Sequence, residues 1–288
     1  MAGLPAGSPP EPEALPAAVA DSHCHLDLGL DGEPAREADS HQIAEAIAAA
    51  ARVGVDAIIQ VGCDLPGSHR AADIADAHEH VWATVALHPN EAPRLFAAGG
   101  QQALADAWDE LAQLAALPQV RGVGETGMDY FRTPPAGRAV QEESFRAHIR
   151  IAKQAGKTLV VHDREAHDDV LRILDDEGAP ERVVLHCFSG DGDFARAAVE
   201  RGFVCSFAGV VTFKNAESLR AALDVVPPEL LLVETDAPFL TPAPHRGKPN
   251  ASYLLPWMVR AIAERRGWDL TETCRTLRRN TERVFGPL

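Results

Sequence analysis

The chain has 288 residues and a formal net charge of −15 at pH 7, with 46% apolar and 24% charged residues. This length suits one domain with a full core, and the composition is typical of a soluble globular protein. No apolar run approaches the roughly eighteen residues that a membrane span requires. The acidic balance argues against a protein that coats nucleic acid by broad charge neutralisation, but a small site with metal ions and a few loop cations is compatible with it.

The N-terminal residues 1–18 are predicted to form a disordered Pro/Ala-rich tail, followed by one folded domain over residues 19–288. The first twenty residues hold five prolines and lack the basic start and apolar centre of a secretory signal. The five cysteines form no C-x-x-C pair, and their number is odd. This pattern favours a reducing cytoplasm over a disulfide framework or a thiolate zinc site.

Eight short apolar runs alternate along the chain with longer segments of helical periodicity. The runs are Ala18–His25, Ala57–Gly62, Val81–His88, Val120–Glu125, Thr158–His162, Arg182–His186, Gly202–Ser206 and Leu230–Asp236. Their near-continuous hydrophobicity predicts parallel strands covered on both faces. Helical spacing occurs in Ser40–Arg52, Gln101–Ala116, Ala139–Ala155, Glu165–Glu177, Tyr253–Arg265 and Leu270–Val284. Eight strand–helix units without a G-x-G-x-x-G motif predict an α/β fold, a single-domain TIM-type (β/α)8 barrel.

Six of these runs end at a residue that can bind a metal ion. These residues are His25, His88, Glu125, His162, His186 and Asp236. Active sites of such barrels lie at the carboxyl ends of the strands, so we expect these side chains to share one site. His23 and His25 point to the same face of the first strand and can bind one ion, whereas Cys24 faces the packing. An isolated H-x-H pair would be equally compatible with hydrogen-bonded core histidines.

The predicted metal ligands share a position at the strand ends and have imidazole or carboxylate donors. They are His23, His25, Glu125, His162, His186 and Asp236. Glu125 lies among glycines that allow close backbone approach, and its two oxygens can bridge two ions. Asp236 could bind an ion, accept a proton from water, or both. Glu125 and Asp236 are therefore the predicted catalytic residues, and Glu234 is expected to orient a ligand.

The predicted substrate contacts lie at the mouth of the barrel. They are His88, Arg132, Arg164 and Arg246, with His245, Lys214 and Lys248 as further candidates. The loop Met128–Arg138 carries two aromatic residues, which could stack on a terminal base or pack over the rim. The remaining histidines are predicted to lie on solvated faces: His41, His69, His78, His80, His148 and His167.

The motifs at the strand ends together resemble those of the TatD-type metal-dependent deoxyribonucleases. The matching segments are Asp21-Ser22-His23-Cys24-His25-Leu26-Asp27, Leu87-His88-Pro89, Gly124-Glu125-Thr126-Gly127-Met128-Asp129-Tyr130, His162-Asp163-Arg164-Glu165-Ala166, His186-Cys187-Phe188-Ser189-Gly190 and Glu234-Thr235-Asp236-Ala237-Pro238. They occur in the family's order, between residues 21 and 250.

The resemblance implies a TIM-type barrel that uses two divalent ions to activate water against phosphodiester bonds in DNA. It implies 3′-to-5′ trimming, with single-stranded DNA or 3′ ends as the substrate. It assigns His23, His25, Glu125 and Asp236 to one ion, and Glu125, His162 and His186 to the other. The donors accept Mg²⁺, Mn²⁺ or Zn²⁺. A cytoplasmic monomer is the accompanying expectation.

Two departures from the family pattern lie on the substrate side. Ala251-Ser252 follows Asn250 where the family usually has Glu-Pro, and Asn90 stands where many members have a histidine. One alternative is an amidohydrolase-like barrel acting on a small amide, lactone or phosphoester. Many such enzymes carry a carboxylated lysine on the fourth strand, where this chain has Glu125. A metal-retaining scaffold without turnover is the other alternative, and it would be expected to have lost a ligand.

Overall fold

The computed structural model describes residues 7–28 and 40–288, in which eight parallel strands form one sheet in chain order. The strands are β1 (Val19–Cys24), β2 (Val55–Val61), β3 (Val81–Val85), β4 (Val120–Asp129), β5 (Thr158–Arg164), β6 (Val183–Leu185), β7 (Val204–Phe207) and β8 (Leu231–Val233). The backbone N–H of Asp236 donates to the carbonyl of His23 at 3.0 Å, and that of His25 donates to Ala237 at 2.8 Å. These bonds join the first and last strands, so the predicted barrel is confirmed.

Helices cover the outside of the barrel. They are α1 (Ser40–Arg52), α2 (Leu65–Ala77), α3 (Glu91–Ala115), α4 (Pro135–Ala155), α5 (His167–Glu177), α6 (Gly192–Glu200), α7 (Glu217–Val225), α8 (Leu255–Arg266) and α9 (Leu270–Phe285). Helix α3 begins ten residues before the predicted start and is kinked at Gly100, where φ is 66°. Within residues 7–28 and 40–288, every helix is too short or too polar to cross a bilayer.

The barrel interior is filled with side chains at its N-terminal end. Ile59, Val160, Val184, Val204 and Leu232 from five strands form an apolar cluster, which is joined by Val284 and Phe285 from the end of α9. Successive side chains of a strand alternate between its two faces. His162 and His186 lie two positions beyond Val160 and Val184. Their imidazoles therefore point into the barrel interior as well, on the C-terminal side of the apolar cluster.

Strand β4 extends four residues beyond its predicted end at Glu125. Gly127 pairs with His162, and Asp129 pairs with Arg164, in parallel register. A Cβ at Gly124 would lie 2.4 Å from the carbonyl oxygen of Val160, and one at Gly127 would lie 2.1 Å from that of His162. Only glycine permits this approach, which brings both Glu125 and Asp129 next to the end of β5.

The N-terminal segment corrects the prediction of a disordered tail. Residues 7–18 lie against the barrel, whereas residues 1–6 are outside the described part of the chain. Leu15 is buried and its N–H donates to the carbonyl of Val53, while the hydroxyl of Tyr253 donates to the carbonyl of Pro9. The prediction failed because one apolar anchor and the free carbonyls of a proline-rich segment are enough to hold it on a complementary surface.

His148 also differs from its predicted solvated position. It is fully buried in α4, where its Nε2 accepts the N–H of Leu87 at 3.0 Å and its Nδ1 lies 2.7 Å from the carbonyl of Ser144. Both contacts are those of a neutral ring whose Nδ1 carries the proton and donates it to the carbonyl of Ser144. Burial lowers the pKa of His148 from the ordinary 6.5 to about 4.

This shift makes His148 a source of acid sensitivity. Because the unfolded chain binds the proton more tightly, the contribution of His148 to stability is complete above pH 6.5 and is lost as the pH falls towards 4. We expect a loss of about 2 kcal/mol near pH 5 from this residue alone. Urea unfolding of wild type and His148→Gln at neutral pH and near pH 5 measures it. Equal losses in both proteins would contradict this assignment.

Candidate metal site

The strand ends bring the predicted metal ligands to one cluster at the mouth of the barrel. His23 lies on β1 and His25 follows it, Glu125 lies on β4, His162 lies on β5, and His186 and Asp236 follow β6 and β8. The cluster also contains His88, which follows β3. All of these residues are buried or partly buried. The sequence therefore identified the residues that meet, and the barrel explains how distant segments reach one place.

Glu125 is the centre of this cluster. Its Oε2 lies 3.0 Å from Nε2 of His23 and 2.9 Å from Nε2 of His186. Its Oε1 lies 2.8 Å from Nε2 of His88 and 3.5 Å from Nδ1 of His162. Each carboxylate oxygen thus faces its own pair of imidazoles, which is the arrangement that a bridging carboxylate requires.

Asp236 closes the cluster on the side of β1. Its Oδ1 lies 3.7 Å from Nε2 of His23 and 3.6 Å from Nε2 of His25. Asp236 adopts a φ of 52°, in the left-handed region that residues other than glycine adopt rarely. The backbone bond from its N–H to His23 holds this conformation and aims the carboxylate at the two histidines.

Three groups of donor atoms lie close enough to hold a cation. They are His23, Glu125, His186 and Asp236; His25, Cys63 and Glu125; and His88, Glu125 and His162, with the atoms in each group within 4.8 Å of one another. This grouping differs from the one that the family resemblance implies, because His186 lies with His23. Their rings stack with centroids 3.9 Å apart, so both Nε2 atoms reach the same oxygen of Glu125.

The unsatisfied atoms of the cluster fit a metal ion. Among the described residues, Nδ1 of His23 has no hydrogen-bond partner, and its Nε2 lies near Oε2 of Glu125 without the geometry of a hydrogen bond, although the ring is fully buried. Burial, followed by the nearby His186, lowers the pKa of His23, which keeps the ring neutral and a lone pair free. A buried polar atom without a partner costs free energy, and a divalent cation would supply the partner.

Two carboxylates hold the imidazoles from behind. Oε1 of Glu234 lies 3.2 Å from Nδ1 of His186 and also accepts the N–H of Cys187 at 2.8 Å. Oδ2 of Asp129 lies 3.4 Å from Nε2 of His162. Each contact leaves the other ring nitrogen facing Glu125. At metal sites, an outer carboxylate commonly binds one ring nitrogen of a histidine in this way and so orients the other towards the metal. Sequence reasoning anticipated Glu234 but missed Asp129, whose signal was its place in the motif after Gly127.

His88 belongs to the cluster as a hydrogen-bond donor to Glu125. Its Nδ1 accepts the N–H of Asn90 at 3.0 Å, so the proton of the neutral ring lies on Nε2. That Nε2 is the atom 2.8 Å from Oε1 of Glu125. The tautomer set by this backbone contact suits a hydrogen-bond donor better than a metal ligand. It agrees with the prediction of a substrate contact, which remains a prediction.

The electrostatics of the cluster follow from its burial and its opposite charges. Burial opposes ionisation of Glu125, but the imidazoles of His186 and His88 outweigh it and hold the pKa of this carboxyl well below its usual range. Burial likewise opposes protonation of His186, yet Glu125 and Glu234 raise its pKa well above the usual value. Without a cation, His186 therefore holds a proton that a metal ion has to displace.

The predicted arginine contacts lie around the mouth, Arg164 at the end of β5 and Arg132 and Arg246 on loops. The guanidinium of Arg164 lies 4.0 Å from the ring centroid of Phe131, and that of Arg246 lies 4.0 Å from that of Phe213. Arg132 is anchored through its backbone N–H, which donates to Oδ1 of Asp129 at 2.7 Å. In the described part of the chain, none of these three side chains pairs with the carboxylates of the cluster. His245 packs on Trp257.

Gly127→Ala should disturb the site through the backbone. The added Cβ would lie 2.1 Å from the carbonyl oxygen of His162, so β4 and β5 must separate. We expect a loss of about 3 kcal/mol in unfolding free energy and a metal affinity about 10- to 100-fold lower. Gly156→Ala is the control, since φ is also positive there but no atom lies within 4 Å of its added Cβ. Equal effects in both variants, measured by thermal unfolding and metal titration, would contradict the account.

Comparison with known proteins places this cluster in a family. The chain matches the family described as TatD related DNase over residues 20–286. It is 42% identical over 272 residues to a Mycobacterium tuberculosis protein named uncharacterized metal-dependent hydrolase TatD, covering 93% of this chain and 98% of that protein. It is 33% identical over 271 residues to a Citrobacter rodentium protein named 3′-5′ ssDNA/RNA exonuclease TatD, covering 91% and 97%.

A solved structure shows the same fold. The crystal structure of YJJV, a TatD homolog from Escherichia coli, superposes with a TM-score of 0.82 at 24% identity, covering 94% of this chain and 98% of that one. The relatives and the near-complete family match agree with the cluster of imidazoles and carboxylates at the barrel mouth. The chain therefore belongs to the TatD-related DNase family of metal-dependent hydrolases.

Proposed function

We propose that this protein uses two divalent ions to hydrolyse phosphodiester bonds at the 3′ ends of DNA. The proposal rests on the observation that the two oxygens of Glu125 face separate pairs of imidazoles. A relative named as a 3′-5′ ssDNA/RNA exonuclease supports nucleic acid as the substrate.

The ligand sets follow the family resemblance, although the distances place His186 nearer to His23 than those sets imply. Residues His23, His25, Glu125 and Asp236 would hold one ion, and Glu125, His162 and His186 would hold the other. Divalent ions at these positions lower the pKa of water and neutralise charge on phosphate oxygens. No serine or cysteine nucleophile is needed for this reaction.

Asp236 is the residue we assign to proton transfer. Burial opposes its ionisation, but His25 and His23 outweigh burial and lower its pKa, so the carboxylate is charged near neutral pH. Its side chain is 14% exposed to solvent, and its Oδ1 faces His23 and His25. A charged and accessible carboxylate beside the cluster can accept the proton of the attacking water.

Four side chains are proposed to hold the substrate. Nε2–H of His88 donates into the cluster and can bind a phosphate oxygen. Arg132, Arg164 and Arg246 are exposed residues around the mouth and can contact phosphates on either side of the scissile bond. Charge-assisted bonds from such cations orient the strand without reading its sequence.

Metal-dependent cleavage of labelled DNA tests the proposal. Metal-free protein is incubated with single-stranded DNA labelled at its 3′ or 5′ end, with Mg²⁺, Mn²⁺ or Zn²⁺ added back and Glu125→Ala as control. We expect early release of the 3′ label and a ladder of 5′-labelled products, restored by metal in the wild type alone. If no metal restores cleavage, the assignment fails. Turnover of small amides or lactones instead would favour an amidohydrolase.

A further inference from the structure

Arg164, Arg246 and Lys248 are three cations at the barrel mouth of this acidic chain. The sequence holds 27 Lys and Arg against 42 Asp and Glu, so carboxylate partners are abundant. Many arginines on the helices use them, as Arg146, Arg172 and Arg265 do. The described residues nevertheless place no carboxylate within ion-pairing distance of Arg164, Arg246 or Lys248. Cations left unpaired on the substrate side are available for an anionic ligand.

One free cation forms a flat surface with an exposed aromatic ring. Phe131 follows β4 and Arg164 ends β5, and the guanidinium lies 4.0 Å from the ring centroid. Phe131 is 58% exposed, the most among the large apolar side chains of the described residues. We call Phe131 and Arg164 the rim platform. A rigid ring held by a cation and left open to solvent is suited to stack on a nucleobase.

The other two cations, Arg246 and Lys248, line a cavity. It has a volume of about 510 Å³ and is formed by the loops that follow β7 and β8, with Phe213, Leu240, Arg246 and Lys248 in its wall. The guanidinium of Arg246 lies 4.0 Å from the ring centroid of Phe213. We call this space the loop cavity. Its volume is within the range of small-ligand sites, and it combines an aromatic face with two positive charges.

The two features flank the metal cluster. The strands lie in chain order around the barrel, so β4 and β8 are four strands apart and on opposite sides. The carboxylate of Glu125 reaches from β4 to His23 of β1 and to His162 of β5. On the β8 side, Phe239 is 42% exposed and contacts His25 edge-on, with centroids 6.1 Å apart. Leu240, the next residue, lines the loop cavity, so the chain leads directly from the cluster into that cavity.

The geometry points to a binding path for single-stranded DNA across the mouth, with one base on the rim platform and another in the loop cavity. This inference rests on the proposed function, and it adds two contact sites for bases to it. A base stacked and paired in a duplex has no free face for Phe131 or Phe213, so the path selects unpaired nucleotides. The net negative charge of the chain disfavours broad additional contacts with the DNA backbone.

A cycle of protein and substrate changes tests the stacking. Binding of fluorescent single-stranded DNA with phosphorothioate 3′ linkages is followed by anisotropy on metal-loaded protein, for wild type, Phe131→Ala and Phe213→Ala. Each variant should weaken binding about 5- to 100-fold, but by less than about twofold for an oligonucleotide that lacks bases in roughly its last three nucleotides. Equal losses on both oligonucleotides, or no loss, would overturn the stacking assignment.

A charge change tests the loop cavity without removing the half-buried Phe213. Lys248→Gln should lower the slope of log Kd against log salt by about 0.7, the value for one phosphate contact on a single strand. Arg279→Gln, on an exposed position of α9, is the matched control and should leave the slope unchanged. An unchanged slope in Lys248→Gln removes the cavity from the path. If wild type neither binds nor cleaves DNA, the proposed function fails; if it does both while the variants match it, only this inference fails.

Discussion

Glu125→Gln is expected to lower phosphodiester hydrolysis by about 1,000-fold or more and to reduce the number of bound metal ions. The substitution keeps the size of the side chain but replaces one oxygen by an amide group, which cannot bind a cation. Oε1 and Oε2 each face two imidazoles, so either orientation of the amide disrupts one side of the cluster. Loss of several kcal/mol of charge stabilisation corresponds to that factor in rate.

Release of labelled nucleotide and metal content per chain measure this effect. The matched control is Asp64→Asn, which removes a carboxylate from the N-cap of α2, where asparagine caps equally well. It should retain wild-type rate and metal content. A Glu125→Gln protein that keeps both ions and more than about a tenth of the wild-type rate would contradict a bridging role.

Asp236→Asn is expected to separate metal binding from proton transfer. The amide retains one oxygen towards His23 and His25, so metal affinity should fall by about tenfold at most, whereas an amide accepts no proton. A missing general base typically costs about 100- to 10,000-fold in rate. Asp236→Ala removes the ligand oxygen as well, and it should lose both metal and turnover.

The pH profile distinguishes the two roles of Asp236. His25 and His23 lower the pKa of this carboxyl, so in the wild type its proton-accepting form is present through the neutral range and is lost only in acid. The Asn variant should lack this acid limb of the rate. If Asp236→Asn loses metal as completely as Asp236→Ala and its residual rate keeps the same acid limb, Asp236 is a ligand and nothing more.

The barrel and its cluster were predictable from sequence because burial makes polar residues informative. His162 and His186 end runs of valine and leucine, where an unpartnered imidazole is costly. Several apolar runs that end in a metal-binding residue imply a shared site in one α/β chain. The cluster around Glu125 consists of these residues. The distances could not be predicted. The stacking of His23 on His186 depends on how the barrel closes, which no local pattern encodes.

The errors in the prediction share a physical cause. His148 was expected to face solvent, yet it is buried on α4 together with Gln141 and Ser144, with which it forms a polar stripe. Their partners lie far along the chain: Gln141 binds the N–H of Asp129 and the carbonyl of Pro89, and His148 binds Leu87. Helical periodicity in the sequence identifies which residues share a face of a helix. It does not show whether that face contacts water or unpaired backbone groups of another segment.

Glycine positions explain the misplaced end of β4. The glycines beside Glu125 were expected to allow close backbone approach, and Gly124 and Gly127 do approach β5 closely. The sequence did not indicate that this contact continues the strand past Glu125, because no local pattern encodes the pairing partner. The position of Asp129 beside His162 follows from that contact, and so it was missed together with it.

Anomalous diffraction from crystals of the protein loaded with Mn²⁺ would locate the metal ions and their ligands. We expect two peaks about 3.5–4 Å apart, with one oxygen of Glu125 on each and the histidines of β1, β5 and β6 around them. Both peaks should disappear or weaken in Glu125→Gln crystals. A single peak without Glu125 among its ligands, or peaks outside the barrel mouth, would contradict a metal pair bridged by this carboxylate.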